Sequence, residues 1–168
     1  GGGVDPDIIL DAPKFSPIAK SLIEKNVIFD FATQYRQQHN TIATAKEFKL
    51  TDAEWNEFTS FIKDKEYDYT TKTEDELAAL KKNAENEKYF DAIKADYDVI
   101  KNKIGHDKEQ DLQKNKDEIV RLIEQEIASR YYYQNGRIIN ALNSDPEVLK
   151  AIEVLNNSSL YQSTLMVK

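Results

Sequence analysis

The sequence contains no cysteine, which excludes disulfides, a thiolate nucleophile and any cysteine-based zinc site. Glycine is scarce at five residues, and three of those open the chain as Gly1-Gly2-Gly3. A phosphate-binding loop or a dinucleotide fingerprint needs several glycines at fixed spacing ahead of a helix, so neither is present. The two histidines, His39 and His106, fall at a helix end and in a turn, without the neighbours that metal binding or acid–base work requires. Basic residues are outnumbered, 23 Lys and Arg against 30 Asp and Glu, for a net charge of −7. No basic stripe is available to displace counterions from phosphates, so a nucleic-acid partner is not expected. Apolar runs such as Ile8-Ile9-Leu10 and Val27-Ile28-Phe29 fall far short of the ~18 residues of a membrane span. No cofactor is expected either.

What is present is a pattern of helices. Ser16-Pro17 supplies an N-cap and a proline at the first helical position, where the missing amide costs nothing. Ile18, Leu22, Ile23, Val27, Phe31 and Tyr35 follow at helical spacing and predict one helix over 17–38. Residues 39–50 form a connector. Thr51 with Glu54 makes a capping box in front of Trp55, Phe58 and Ile62, a second helix. Residues 66–72 read as an extended linker, and Thr73 with Glu76 suggests another capping box at the head of a charge-rich helical region over 74–104.

Phe90, Ile93, Tyr97, Ile100 and Ile104 form a narrow seam of the kind two helices share. With Gly105-His106-Asp107 as the turn, the pattern predicts a long antiparallel helical hairpin pairing 85–104 with 108–132, the latter carrying Leu112, Ile119, Ile123, Ile127 and Tyr131. Asp145-Pro146-Glu147 starts a last helix with Val148, Ile152 and Leu155, and 157–168 reads as a loose tail. The fold class expected is therefore mainly α, a helical bundle with one short N-terminal strand, Ile8 to Leu10, bounded by Asp-Pro and Ala-Pro turns. A lone strand has no partner within a helical chain. Its sheet is expected in an upstream core, which divides the sequence into 1–13, the end of that core, 14–156, a helical domain, and 157–168.

Tyr131, Tyr132 and Tyr133 stand in a row. Successive side chains on a helix point about 100° apart, so the three cannot share one face. At least one must meet a second surface, and the run is the candidate interface between helices or protomers. Elsewhere carboxylates interleave with lysines at three- and four-residue spacings, the pattern of exposed faces. Ser16 and Lys20, like Ser21 and Lys25, miss the Ser-x-x-Lys spacing of penicillin-binding enzymes. No residue of the chain is assigned a catalytic role.

GGGVDPDI resembles the glycine-rich stretch that closes the protease core of the carboxy-terminal processing, or tail-specific, serine peptidases. NVIFDFATQY is similar to the helix that follows it in Bacteroidetes-type members, and SRYYYQNGRI with DPEVLKAIEVL to their extreme C-terminus. The resemblance touches both ends of the sequence and supports 40–118 only loosely. It implies a parent serine-type endopeptidase of the periplasm or cell envelope, with a serine nucleophile, a lysine base and a PDZ domain for substrate C-termini. In that family the nucleophile and lysine precede the glycine-rich stretch, so none of those parts matches a residue here. The implied partners are the upstream protease domain, protein or peptide substrates of the parent, and a second protomer; the implied role is structural, in assembly or in substrate positioning. The alternative is a stand-alone helical module that binds another protein. An exposed Ile8–Leu10 favours the first reading; burial of that segment on the chain's own helices favours the second.

Overall fold

Ser16 opens the helical region as expected: its hydroxyl accepts from the Ala19 amide at 3.3 Å, and its own amide donates to Glu118, 102 residues away. The fold is taken from a computed structural model, which describes residues 3, 6–11, 14–104 and 108–166. Among the described residues the regular elements are α1 (Pro17–Glu24), α2 (Val27–Gln38), α3 (Asp52–Phe61) with a 3-10 turn (Ile62–Asp64), α4 (Lys72–Asn86), α5 (Phe90–Ile104), α6 (Lys108–Lys114), α7 (Lys116–Ala141), α8 (Pro146–Asn156) and α9 (Ser158–Met166).

The single helix expected over 17–38 is two helices. Asn26 adopts the left-handed conformation at φ 58°, ψ 18°, and the Lys25 and Asn26 amides close the last turn of α1 onto Ser21 and Ile23. Asparagine tolerates that conformation better than most residues, and the apolar stripe passes through the break without losing its face.

The core lies between α1, α2, α3 and α7. Ile18, Leu22, Phe58, Ile62, Ile119, Ile123 and Ile127 are almost wholly buried there. Each contributes roughly 1.5–3 kcal/mol relative to exposure, before the entropy of ordering is charged against it. Phe31 sits at the centre, edge-on to Phe58 at 5.1 Å and tilted against Phe61 at 5.5 Å.

Three expectations about the middle of the chain are corrected. The second capping box forms at Thr71 with Glu74 rather than at Thr73 with Glu76, starting α4 two residues early. Both sites satisfy the motif; Tyr69, whose hydroxyl donates to Asp111, anchors the chain just ahead of Thr71 and selects the earlier one. The charge-rich region is broken at Lys88, which has φ 61°, and α4 and α5 fold back on each other as the antiparallel pair. Leu77, Ala84 and Tyr97 are its buried residues, and Phe90 lies edge-on to Tyr97 at 5.4 Å. Thus α5 packs chiefly on α4, while α7 pairs with α2 instead of closing the hairpin with 85–104. The isoleucine stripe of α7 is wholly buried and finds the deeper aromatic face of α2 and α3; the seam of α5 leaves Ile100 partly exposed and suits a shallower partner. The turn expected at 105–107 lies outside the described residues.

The N-terminal strand is also corrected. Ile8 to Leu10 form no strand, and no strand occurs among the described residues. A strand needs a neighbouring strand to bond to, and the described residues offer none. Residues 158–166 of the expected tail form α9, which Asn157 caps by accepting from the Leu160 amide at 3.0 Å.

Candidate interaction surfaces

The face of α7 that carries the tyrosines is a clamp on the 39–50 connector. The Tyr131 hydroxyl donates to the His39 carbonyl at 2.6 Å, and the Tyr132 hydroxyl to the Ala43 carbonyl at 3.0 Å. Asn140 donates to Ala45 and Phe48, and Asn143 to Lys46, again to backbone carbonyls. Glu124 reverses the polarity, accepting the Leu50 amide at 2.9 Å while pairing with Lys49 at 3.1 Å. A connector without regular structure must place its backbone groups somewhere, and here α7 side chains receive them. Among the described residues no buried side-chain nitrogen or oxygen is left without a partner.

Of the three tyrosines, two therefore serve the chain itself. Tyr131 is half-buried, with the Arg36 guanidinium 4.6 Å over its ring, and its burial pushes the phenol pKa up. Tyr132 is bonded to the connector but remains accessible. Tyr133 points away, 82% exposed.

Tyr133 is also where α7 is kinked, with φ 59° and ψ −157°. That region is occupied almost exclusively by glycine and costs other residues of order 1–3 kcal/mol. The strain persists because the returning half of α7 is held from both sides. Glu126 pairs with Arg130 before the kink at 2.8 Å and with Arg137 after it at 3.3 Å. Arg130 in turn lies 4.2 Å over the Phe29 ring and donates to Thr33, which ties the clamp to α2. Gly136 is buried against Tyr132, and any side chain there would collide with it. A hollow of about 550 Å³ bordered by Thr44, Tyr132, Tyr133, Gly136 and Ile139 lies beside the kink.

A second hollow, about 750 Å³, opens between α2 and α3 beside Tyr35, His39 and Glu57. Two of its titratable groups, Tyr35 and His39, are committed to structure. Burial, then the bond to Glu54, raises the Tyr35 pKa, keeping the phenol a neutral donor. Burial alone would raise the Glu54 pKa, but hydrogen bonds from Tyr35 and Thr51 outweigh it and hold the carboxylate ionised below its usual range. His39 stacks on Tyr35 at 4.0 Å, with Nδ1 3.0 Å from the Tyr35 carbonyl. His106 lies outside the described residues. Among those residues no group of His, Asp and Glu is arranged to hold a metal ion.

The third surface joins the two ends of the chain. Pro6 to Leu10 lie across from Ala151, Val154 and Leu155 of α8 and Tyr161 of α9, bounding a groove of about 570 Å³. Ile9 is 81% exposed, Leu155 67% and Leu165 59%. No residue of α8 is buried, although Val148, Leu149, Ile152 and Leu155 give it an apolar face.

Buried helices, a clamped connector and open apolar surfaces define a mainly helical domain. The family model described as "Probable PDZ-protease, C-terminal helical domain" matches residues 18–155, and the chain belongs to that family. No curated protein and no solved structure matches it. No described helix is long and apolar enough to cross a membrane.

Proposed function

We propose that the chain is the non-catalytic C-terminal helical domain of a serine-type carboxy-terminal processing peptidase of the periplasm, where it serves assembly or substrate positioning. The observation that carries this reading is the family match over 18–155 immediately behind the GGGVDPDI motif. The catalytic serine and lysine then stand N-terminal to Gly1, with a PDZ domain capturing the C-termini of protein or peptide substrates. The exposure of Ile9 and Leu10 supports an upstream core over a stand-alone module, which would keep those side chains to itself. Within this reading Tyr131 and Tyr132 hold the connector in place. Tyr133, strained and projecting, is the aromatic offered to another protein surface, either substrate or a second protomer.

The test is proteolysis of an unstructured protein by the intact parent polypeptide and by residues 1–168 alone. The expected result is turnover by the parent and none by residues 1–168. Turnover by residues 1–168 that survives repurification overturns the assignment.

A further inference from the structure

At the kink of α7 we infer a binding site for an extended protein segment in which an apolar side chain stands next to a carboxylate. The side chain enters the hollow beside Tyr133, and the carboxylate meets Lys46. This rests on the reading of Tyr133 as an aromatic offered to another protein, and it names what that aromatic receives; it stands apart from the assignment to a peptidase.

The hollow, about 550 Å³, is of ligand size, and Ala45, Tyr131, Tyr132, Gly136 and Ile139 make its lining largely apolar. Its walls are fixed before any ligand arrives. The Tyr132 hydroxyl holds the Ala43 carbonyl, Asn140 holds that of Ala45 and Asn143 that of Lys46. On the other side Gly136 lies so close to Tyr132 that no side chain fits between them. A preformed site loses little of its affinity to ordering.

The free polar groups decide what fits. The carbonyls of Ala43, Ala45 and Lys46 are taken by those bonds, and the Thr44 carbonyl accepts from the Glu47 and Phe48 amides. The groups at the hollow left unpaired among the described residues are the Lys46 ammonium, the Tyr133 hydroxyl and the Asn135 side-chain amide, and all three can donate. No residue bordering the hollow is acidic, and Lys46 is its only charge, in a chain whose net charge is −7. The ligand must therefore bring an anionic acceptor. One lysine is too little for a nucleic-acid backbone, which is held by displacing several counterions. It matches a single carboxylate on a protein segment.

Tyr133 supplies the aromatic. Its φ of 59° and ψ of −157° suit glycine, yet the position carries a ring that is 82% exposed and that the core does not use. Backbone strain of this kind gathers at ligand sites. A tyrosine at the rim of an apolar hollow is also the residue type that dominates binding energy at protein contacts.

The test is a titration of isotope-labelled residues 1–168 with two blocked tetrapeptides, acetyl-Ala-Phe-Asp-Ala-amide and its Phe-Asn counterpart, followed by amide chemical shifts. The site predicts saturable shifts at 43–46 and 131–136, with the Phe-Asp peptide bound about threefold more tightly, the size expected of one accessible ion pair. Lys46→Ala should abolish that preference. Tyr133→Gly should weaken both peptides about tenfold while unfolding at higher urea, so that lost binding is not lost folding. No saturable shift at millimolar peptide, equal binding of the two peptides, or unchanged binding by Tyr133→Gly overturns the site. Broadening of the same amides that grows with protein concentration in the absence of peptide also overturns it and assigns the hollow to a second copy. Failure of the peptidase reading looks different. A parent polypeptide that cleaves protein while residues 1–168 bind neither peptide overturns the site alone; peptide binding at the kink in a parent that cleaves nothing supports the site and removes the peptidase.

Discussion

Gly136→Ala is the most informative single change inside the helical domain, because it adds one methyl group where α7 folds back on itself. A Cβ on Gly136 would lie 2.3 Å from the Tyr132 Cβ and 2.9 Å from the Ala128 carbonyl oxygen. Neither neighbour is the tip of a flexible side chain, so relief requires the two halves of α7 to move apart. Overpacking of this kind costs about 1–3 kcal/mol, and the rigidity of these neighbours places it at the upper end. The better helix propensity of alanine returns about 1 kcal/mol. The net expectation is a destabilisation of roughly 2 kcal/mol, read by urea unfolding followed by circular dichroism. For a chain of this size that corresponds to a fall in Tm of about 4–8 °C. Exchange should also quicken in the 39–46 connector, whose carbonyls depend on Tyr131, Tyr132, Asn140 and Asn143. Equal or greater stability of the variant would refute the reasoning, since propensity alone would then be operating and α7 would not be folded back as described.

Three further outcomes follow from the same geometry. Tyr133→Gly relieves a backbone conformation that glycine adopts freely; after the extra unfolded-state entropy of glycine is subtracted, a gain of about 1 kcal/mol in urea unfolding is expected. Glu124→Ala deprives the Leu50 amide of its acceptor and should cost about 1–3 kcal/mol, whereas Glu124→Gln keeps an oxygen for that amide and should cost clearly less. Tyr35 has its pKa raised above 10.0, so the folded state keeps a proton that the unfolded state gives up. Its contribution is complete below the unfolded pKa and is lost as pH rises past it, with a slope of up to about 1.4 kcal/mol per pH unit. Unfolding at about pH 9 to 11 should show that decline, and Tyr35→Phe should flatten it by about one proton.

Helix positions were the most legible part of the sequence, because capping chemistry is local. Ser16-Pro17, Thr51 with Glu54, and Asp145-Pro146 each mark a helix start that the structure reproduces. Pairing was less legible. The seam of α5 and the stripe of α7 look alike on paper, and only tertiary packing sends the first to α4 and the second to α2. The break at Asn26 was hidden because a single left-handed residue leaves the apolar periodicity intact. For the candidate site, the tyrosine run stood out because three successive helical side chains cannot share one face; in the structure Tyr131 and Tyr132 bond the connector and Tyr133 is exposed. The partners that matter most to it were missed. Glu124, Glu126 and Asn140 are buried polar residues: Glu124 and Asn140 serve a connector whose path no local pattern encodes, and Glu126 serves arginines on both sides of a kink. The one available signal was the placement of Glu124 and Glu126 between Ile123 and Ile127, charges set inside an apolar stripe.

The central claim is that this helical domain belongs to a serine peptidase whose catalytic groups lie outside it. The most direct measurement is to label the intact parent polypeptide with a fluorophosphonate probe and map the modified residue by peptide mass spectrometry. The account predicts one modified serine, N-terminal to Gly1, and no label within residues 1–168. A label on a serine of this chain, or a parent that takes none while active, would contradict it.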